Sequence, residues 1–153
     1  MRVIGARPDK AAGFGKTMLW VNDPPGRTNM DGYTLSYDYA NGVKLSYTQV
    51  FFHPNGMPGN GQTNYVYGTK GGVDLNTATA YPFGRGAKPV VLAEQVREPG
   101  SAHMAAFLES IRTGKKPPAG IDVAATAALT AIMGRDSIYR RQTVTWESLG
   151  VRL

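Results

Sequence analysis

The chain has 153 residues, no cysteine, and 17 Lys and Arg against 11 Asp and Glu, which gives a net charge of +6. The lack of cysteine excludes a disulfide framework, a thiolate metal site and a thiol nucleophile. No apolar run approaches the roughly 20 residues of a membrane span, and the opening MRVIGARP lacks the apolar core of a signal peptide. We therefore expect a single cytoplasmic domain, residues 1–153, with no membrane partner.

The positive charge is spread along the chain in ones and twos. The densest pairs are Lys115-Lys116 and Arg140-Arg141. A nucleic-acid-binding module concentrates its basic residues on one face or one segment. We therefore expect no nucleic-acid partner, and a basic polyanion-binding module stays the third alternative for function.

The first third of the sequence predicts strands. Residues 2–7 and 15–21 are candidate strands, and residues 22–30 form a loop rich in Pro, Gly and Asn. Residues 31–52 follow with apolar and aromatic side chains at odd positions and polar ones at even positions. Alternation with period two predicts a half-buried β-hairpin.

The alternation also predicts the turn of this hairpin. A three-residue loop, Ala40-Asn41-Gly42, pairs Tyr37 with Leu45 and Leu35 with Tyr47, which keeps each face uniform. A two-residue loop would mix the faces, because a slip of one residue moves every side chain to the other side. Gly42 is then expected at positive φ.

Short strands are followed by helices in the remainder. Candidate strands are residues 63–68, 73–75, 79–83 and 89–93, and the loop 53–62 is dense in Gly, Pro and Asn. One helix starts with Ser101 as N-cap and ends at Gly114, and a second runs from Asp122 as N-cap to about Arg140. Residues 143–145 are a last candidate strand. This order predicts an α+β fold: an open, mostly antiparallel β-sheet with two C-terminal helices packed on one face.

The two faces of the hairpin would then have different neighbours. The aromatic face could meet the helices while the Ser/Thr face meets a second subunit, or the reverse. The many alanines of the second helix favour the first arrangement. Gly134 within this helix costs about 1 kcal/mol relative to alanine, which is tolerable if another backbone packs there.

Several fragments resemble functional motifs, but the residues around them do not fit those motifs. Gly15-Lys16-Thr17 resembles the end of a phosphate-binding loop, but Lys10 stands where that loop needs glycine. Gly84-Arg85-Gly86 is followed by Pro89, which excludes the helix that a dinucleotide-binding turn must open. His53 and His103 have no carboxylate at metal-ligand spacing. We therefore expect no metal site, no cofactor site and no catalytic residue in this chain.

The segment from Ala106, AFLESIRTGKKPPAGIDVAATAALTAIMGRDSIYRRQTVTWESL, resembles the closing part of the Gfo/Idh/MocA family of nicotinamide-dependent sugar oxidoreductases. That part has a Phe-rich helix ending in Ile-Arg-x-Gly-Lys-x-Pro, an Ala-rich helix, a basic run and a Trp-Glu. The hairpin turn and the sequence YGTKG at residues 67–71 are also similar to the C-terminal domain of that family. The resemblance implies an open sheet that builds part of a sugar pocket and often an oligomer interface.

Parts of the family pattern are missing from the sequence. The glycine-rich Rossmann domain, the Glu-Lys-Pro motif and the Asp-x-x-x-His pair have no match here. The resemblance therefore implies a C-terminal domain alone, from a truncated gene, an expressed fragment or a split subunit. NAD or NADP is implied only for a full-length parent protein, which would supply the Rossmann domain as a partner.

The expected function is the substrate-side and oligomerisation domain of a sugar or polyol oxidoreductase, inactive alone. The alternative is a non-catalytic scaffold or accessory subunit that dimerises through its sheet. Arg27, His53 and Asn60 are the candidate substrate-binding residues, because they lie at strand ends in polar, glycine-rich segments.

Overall fold

The computed structural model describes residues 3–59, 61–93, 99–117 and 119–151. The chain forms two compact units. The first comprises Met1–His53 and Lys116–Leu153, and the second comprises Pro54–Lys115.

The secondary-structure elements agree with the predicted α+β class. The first unit contains β1 (Pro8–Lys16), β2 (Gly32–Tyr39), β3 (Lys44–Val50), α2 (Ile121–Arg140), β8 (Val144–Thr145) and a 3₁₀ helix (Glu147–Leu149). The second unit contains β4 (Tyr65–Gly68), β5 (Gly71–Asp74), β6 (Thr79–Pro82), β7 (Val90–Val91) and α1 (Pro99–Thr113). The strands make two antiparallel sheets of four strands each, in the orders β3-β2-β1-β8 and β4-β5-β6-β7. None of the helices in the described part of the chain is long and apolar enough to cross a membrane.

The β2–β3 hairpin has the predicted register. Tyr37 pairs with Leu45, Leu35 with Tyr47, and Gly42 has a φ of 84°. The Tyr39 N–H donates to the Val43 carbonyl at 3.1 Å, which closes the three-residue loop. The alternation therefore predicted both the pairing and the turn.

The strand before the hairpin differs from the prediction. β1 occupies residues 8–16, whereas residues 3–7 and 17–21 contain no strand, so both strands predicted for this region are wrong. The core-facing positions of β1 include Gly13 and Gly15. A Cβ at Gly13 would come within 2.5 Å of Leu35 Cδ2, and one at Gly15 would come within 2.8 Å of Tyr33 Cβ. Glycine is required by this close packing, and its presence removes the apolar alternation from the sequence.

The core of the first unit lies between its sheet and α2. The aromatic face of the hairpin meets α2, which confirms the part of the first arrangement that concerns the helices. The buried apolar residues are Ala11, Leu35, Tyr37, Tyr39, Met133, Ile138, Val144 and Trp146. The close approach at Gly134 involves side chains rather than another backbone, because a Cβ there would collide with the Tyr37 hydroxyl and with Leu35.

The second unit has no comparable core among its described residues. The strands β4 to β7 contain exposed and half-buried residues only. α1 begins at Pro99, two residues before the predicted N-cap Ser101, and its apolar residues Met104, Phe107 and Ile111 are exposed. α2 likewise begins before its predicted N-cap, because Gly120 occupies that position and Asp122 lies in the first turn. Among the described residues, α2 of the first unit is therefore the helix that packs on a sheet face.

Candidate functional site

The loop Thr17–Asp31, which connects β1 to β2, carries one of the predicted substrate-binding residues. It begins after the last residue of β1 and ends one residue before the hairpin. Two Pro and several small polar residues give it an irregular course, so side chains must hold it.

Asp31 anchors the start of this loop. Its side chain is completely buried. Oδ1 accepts a hydrogen bond from the Met18 N–H at 2.7 Å, and Oδ2 accepts from the N–H groups of Leu19 and Trp20, each at 3.0 Å. The Asp31 carbonyl also accepts from the Phe51 N–H at 2.9 Å, just beyond the end of β3. One residue therefore ties the loop to both strands of the hairpin.

The electrostatics at Asp31 follow from these contacts. Burial alone would raise the pKa of the carboxyl group, but the N–H groups of Trp20, Met18 and Leu19 stabilise the charged form and lower the pKa below its ordinary value. The carboxylate is thus ionised at neutral pH and compensated by backbone dipoles.

Further hydrogen bonds hold the far side of the loop. The Tyr139 hydroxyl, on α2, donates to the Thr28 carbonyl at 2.7 Å. The Thr17 hydroxyl donates to the Asn29 carbonyl at 2.9 Å. The loop is therefore fastened to the helix as well as to the hairpin.

Arg27 is held in place within this loop. Its Nε donates to the Asn29 carbonyl and one terminal nitrogen donates to the Asp23 carbonyl, each at 3.2 Å. The guanidinium carbon lies 5.4 Å from the centroid of the Trp20 ring, a cation–π contact. A guanidinium has five N–H donors, so donors remain for a ligand beyond these two bonds among described residues.

Phe52, the residue before the predicted His53, contacts the same part of the loop. The Trp20 and Phe52 rings make an edge-to-face contact with centroids 6.3 Å apart, and His53 directly follows Phe52. Trp20, Arg27, Phe52 and His53 are all half-buried. We name Trp20, Arg27 and Phe52 the loop cluster, which His53 follows in sequence. The third predicted residue, Asn60, lies outside the described residues.

The loop cluster offers binding chemistry. An indole face is apolar and a guanidinium donates hydrogen bonds to hydroxyl or carboxylate oxygens, the combination typical of pockets for small polar ligands. No group of three or more His, Asp or Glu among the described residues could hold a metal ion. All strand pairs of the described residues are antiparallel, so these residues contain no parallel strand–turn–helix unit of the kind that binds a dinucleotide in a Rossmann fold.

Asp31 was not predicted from the sequence, although a signal was available. It occupies an odd position of the hairpin, in phase with Tyr33, Leu35 and Tyr37, which face the core. An aspartate in phase with a buried face must find hydrogen-bond donors. Its partners at positions 18 to 20 could not be read from the pattern, because they return to it through an irregular loop.

Comparison with known proteins gives matches at the level of structure. No family model and no curated protein sequence matches the chain. An oxidoreductase from Agrobacterium radiobacter, in complex with NAD+, L-tartaric acid and magnesium, superposes with a TM-score of 0.74 at 15% identity over 97% of this chain. An aldose-aldose oxidoreductase from Caulobacter crescentus complexed with glycerol superposes with a TM-score of 0.70 at 21% identity over 92% of this chain.

The likeness covers only part of those proteins. The chain matches 46% of the Agrobacterium protein and 42% of the Caulobacter protein. The fold of this chain therefore corresponds to less than half of the length of each of these two proteins. The resemblance to the C-terminal domain of the Gfo/Idh/MocA family, recognised in the sequence, is confirmed as a likeness of fold.

Proposed function

We propose that this chain is the substrate-side and oligomerisation domain of an NAD(P)-dependent sugar or polyol oxidoreductase, and that it is inactive by itself. The observation that carries the proposal is the partial coverage: more than nine-tenths of this chain corresponds to less than half of each neighbour. The neighbours are oxidoreductases, and one is described with NAD+. The nicotinamide cofactor would be bound by the part of the parent protein that has no counterpart here.

The loop cluster supports the substrate-side role. Trp20 and Arg27 are fixed by contacts that do not depend on a ligand, so little conformational entropy is lost when a ligand binds. A sugar ring presents apolar C–H groups and hydroxyls, which match the indole face and the guanidinium donors. Hydride transfer itself would use groups outside this chain.

Substitution of Arg27 tests this role in the full-length protein. Arg27→Ala is expected to raise KM for the sugar about tenfold, equivalent to about 1.4 kcal/mol of binding, with a smaller change in kcat. Lys16→Ala, an exposed cation at the end of β1, is the control and should leave both constants unchanged. An unchanged KM in the Arg27→Ala enzyme would argue against a substrate contact.

The face of the first sheet opposite α2 supports the oligomerisation role. It carries small and polar residues in register across β1, β2 and β3. These residues are Lys10, Ala12, Phe14, Thr34, Ser36, Asp38, Lys44, Ser46 and Thr48. Phe14 is 86% exposed on this face, near the end of β1. An open sheet surface with a protruding aromatic ring is suited to a self-complementary dimer.

Light scattering coupled to size exclusion tests the oligomer. The wild-type chain is expected to be a dimer or larger, and Phe14→Glu to be a monomer because it replaces an exposed aromatic ring on the proposed contact face with a charge. Val43→Glu adds the same charge beside the hairpin turn, where Val43 is 37% exposed, and should keep the wild-type mass. A monomeric wild-type chain, or an unchanged mass for Phe14→Glu, contradicts the interface.

The second candidate function is a non-catalytic scaffold, since it could dimerise through the same open face of the sheet. Dehydrogenase assays of the chain with and without the remainder of the parent protein separate the two. Activity that appears only in the combination supports the oxidoreductase domain. A combination that binds tightly and stays inactive with every sugar and polyol tried supports the scaffold.

A further inference from the structure

The sequence contains three Asn-Gly pairs, and two of them lie in turns that the structure describes. Asn41-Gly42 forms the tip of the β2–β3 hairpin, and Asn55-Gly56 lies in the loop after this hairpin. Both asparagines and both glycines are exposed. Each glycine has a positive φ, which is 84° at Gly42 and 79° at Gly56. The two pairs therefore match in sequence, in exposure and in the conformation of the glycine.

An Asn-Gly pair carries its own chemical reactivity. The backbone nitrogen of the glycine attacks Cγ of the asparagine, the Cγ–Nδ2 bond breaks, and ammonia leaves with the proton of the glycine N–H. Water then opens the resulting succinimide at one of its two carbonyls, which gives aspartate or isoaspartate. Glycine favours the attack because it has no side chain to obstruct its nitrogen and because its backbone is permissive. The reaction consumes water and needs no other reagent.

Hydrogen bonds hold both reacting groups of the first pair. Nδ2 of Asn41 donates to the Ile4 carbonyl at 3.0 Å, and Oδ1 accepts from the Val43 N–H at 3.3 Å. The nucleophile is engaged as well, because the Gly42 N–H donates to the Tyr39 carbonyl at 2.9 Å. The attack requires rotations within Asn41 that would break these contacts, so the folded hairpin should protect this pair.

Fewer contacts hold the second pair. The turn Pro54–Met57 is closed by the Met57 N–H, which donates to the Pro54 carbonyl at 3.2 Å. The Gly56 N–H, at the third position of this turn, takes no part in that bond. Among the described residues, no hydrogen bond involves the Asn55 side chain or the Gly56 N–H. The amide carbon and the nitrogen that attacks it can therefore meet without the loss of a hydrogen bond of their own.

We propose that Asn55 is a site of spontaneous deamidation in the folded protein, and that the fold protects Asn41 from the same reaction. The product has one more carboxylate, which lowers the net charge of +6 by one. Isoaspartate also adds a backbone carbon to the turn, so the hydrogen bond between Met57 and Pro54 should be lost. The new carboxylate lies two residues after His53, one of the predicted substrate-binding residues. The reaction takes place in this chain whether or not a parent oxidoreductase exists.

Peptide mapping of the folded 153-residue chain tests this selectivity. The chain is incubated at mildly alkaline pH, where the glycine nitrogen loses its proton more readily, and is then digested with trypsin. Asn41 falls in the tryptic peptide 28–44 and Asn55 in the peptide 45–70. Deamidation replaces an amide by a carboxylate and shifts the peptide mass. Fragment ions locate the shift at Asn55 and distinguish it from one at Asn60, which lies in the same peptide.

In the folded chain, Asn55 is expected to react at least about tenfold faster than Asn41, because the reaction at Asn41 waits for local opening of the hairpin. The same incubation in urea is the control, since it removes the fold and keeps the sequence. In urea, the rate at Asn41 should rise to within about twofold of the rate at Asn55, because both pairs are then in an unfolded chain. The rate at Asn55 should change little between the two conditions.

Equal rates at the two asparagines in the folded chain would overturn the proposal. So would the absence of reaction at Asn55 until urea is added, because the turn would then protect it as the hairpin protects Asn41. Asn55→Gln is the matched variant, since glutamine keeps the amide but would have to close a larger and more slowly formed ring. The mass shift at position 55 should disappear in this variant, and an unchanged shift would contradict the succinimide route.

Discussion

The two sheets have the same number of strands and the same antiparallel pairing, but they differ in what covers them. The first sheet packs α2 against its aromatic face and buries Tyr37, Tyr39 and Trp146. The described strands of the second sheet bury no residue, and Tyr67 and Val91 are 79% and 70% exposed.

This difference indicates where the stability of the chain resides. Backbone pairing satisfies hydrogen bonds but contributes little net free energy, whereas burial of apolar side chains provides the main driving force. The first unit should therefore set the free energy of unfolding, and the second unit should depend more on whatever partner covers it.

The largest difference in the free energy of unfolding is expected between two variants that each truncate one methionine, one in each unit. Met133 on α2 is fully buried and Met104 on α1 is 59% exposed. Met133→Ala is expected to lower the free energy of unfolding by about 2–5 kcal/mol, because it removes buried methylenes and leaves a cavity. Met104→Ala should change it by less than about 0.5 kcal/mol. Urea denaturation followed by far-UV circular dichroism, which reports on the backbone of both units, measures both, and equal losses would refute the assignment of stability to the first unit.

A smaller loss is expected from overpacking at Gly134. A methyl group there would collide with the Tyr37 hydroxyl and press on Leu35. Gly134→Ala should therefore cost about 1–3 kcal/mol, despite the better helix propensity of alanine. Tyr37→Phe in the same protein removes the colliding oxygen and should restore part of the loss, a coupling that a double-mutant cycle detects. Purely additive effects would mean that the two side chains do not share this contact.

The loop held by Asp31 should give the first unit a specific acid sensitivity. The folded-state pKa of Asp31 is below the ordinary value of 3.8, so its charged form stabilises the fold above that pH. This contribution is lost as pH falls from about 3.8 through the folded-state pKa. Asp31→Asn should lower Tm at pH 7 and flatten the decline of Tm below pH 4.

A half-buried carboxylate on the open face of the sheet provides the control for this pH dependence. The hydrogen bond from Lys44 lowers the pKa of Asp38, but the pair lies on the open face of the sheet. Asp38→Asn should change Tm at pH 7 much less, since exposed ion pairs contribute little. If the two variants have superimposable Tm-against-pH curves, the anchoring role of Asp31 is refuted.

The same contrast explains what the sequence could predict. The hairpin register followed from alternation, because Tyr37, Leu45 and their neighbours report directly which face is buried. β1 escaped prediction because Gly13 and Gly15 occupy its core positions and carry no apolar side chain. The contact between Arg27 and Trp20 could not be predicted either, since it depends on loop hydrogen bonds between residues distant in sequence.

The smallest change in the free energy of unfolding is expected for a substitution in the second sheet. Tyr67 on β4 is 79% exposed, so Tyr67→Ser removes an aromatic ring that is mostly in water already. The free energy of unfolding should change by less than about 0.5 kcal/mol, although serine fits a strand less well than tyrosine. Tyr37→Ser, the same substitution at a buried strand position of the first sheet, should cost at least about 3 kcal/mol. If Tyr67→Ser approaches that loss, the ring is buried in solution by a partner or by self-association. Repeating the denaturation of Tyr67→Ser and of the wild type over a range of protein concentrations identifies self-association at this ring, because only then does the difference between their midpoints depend on concentration.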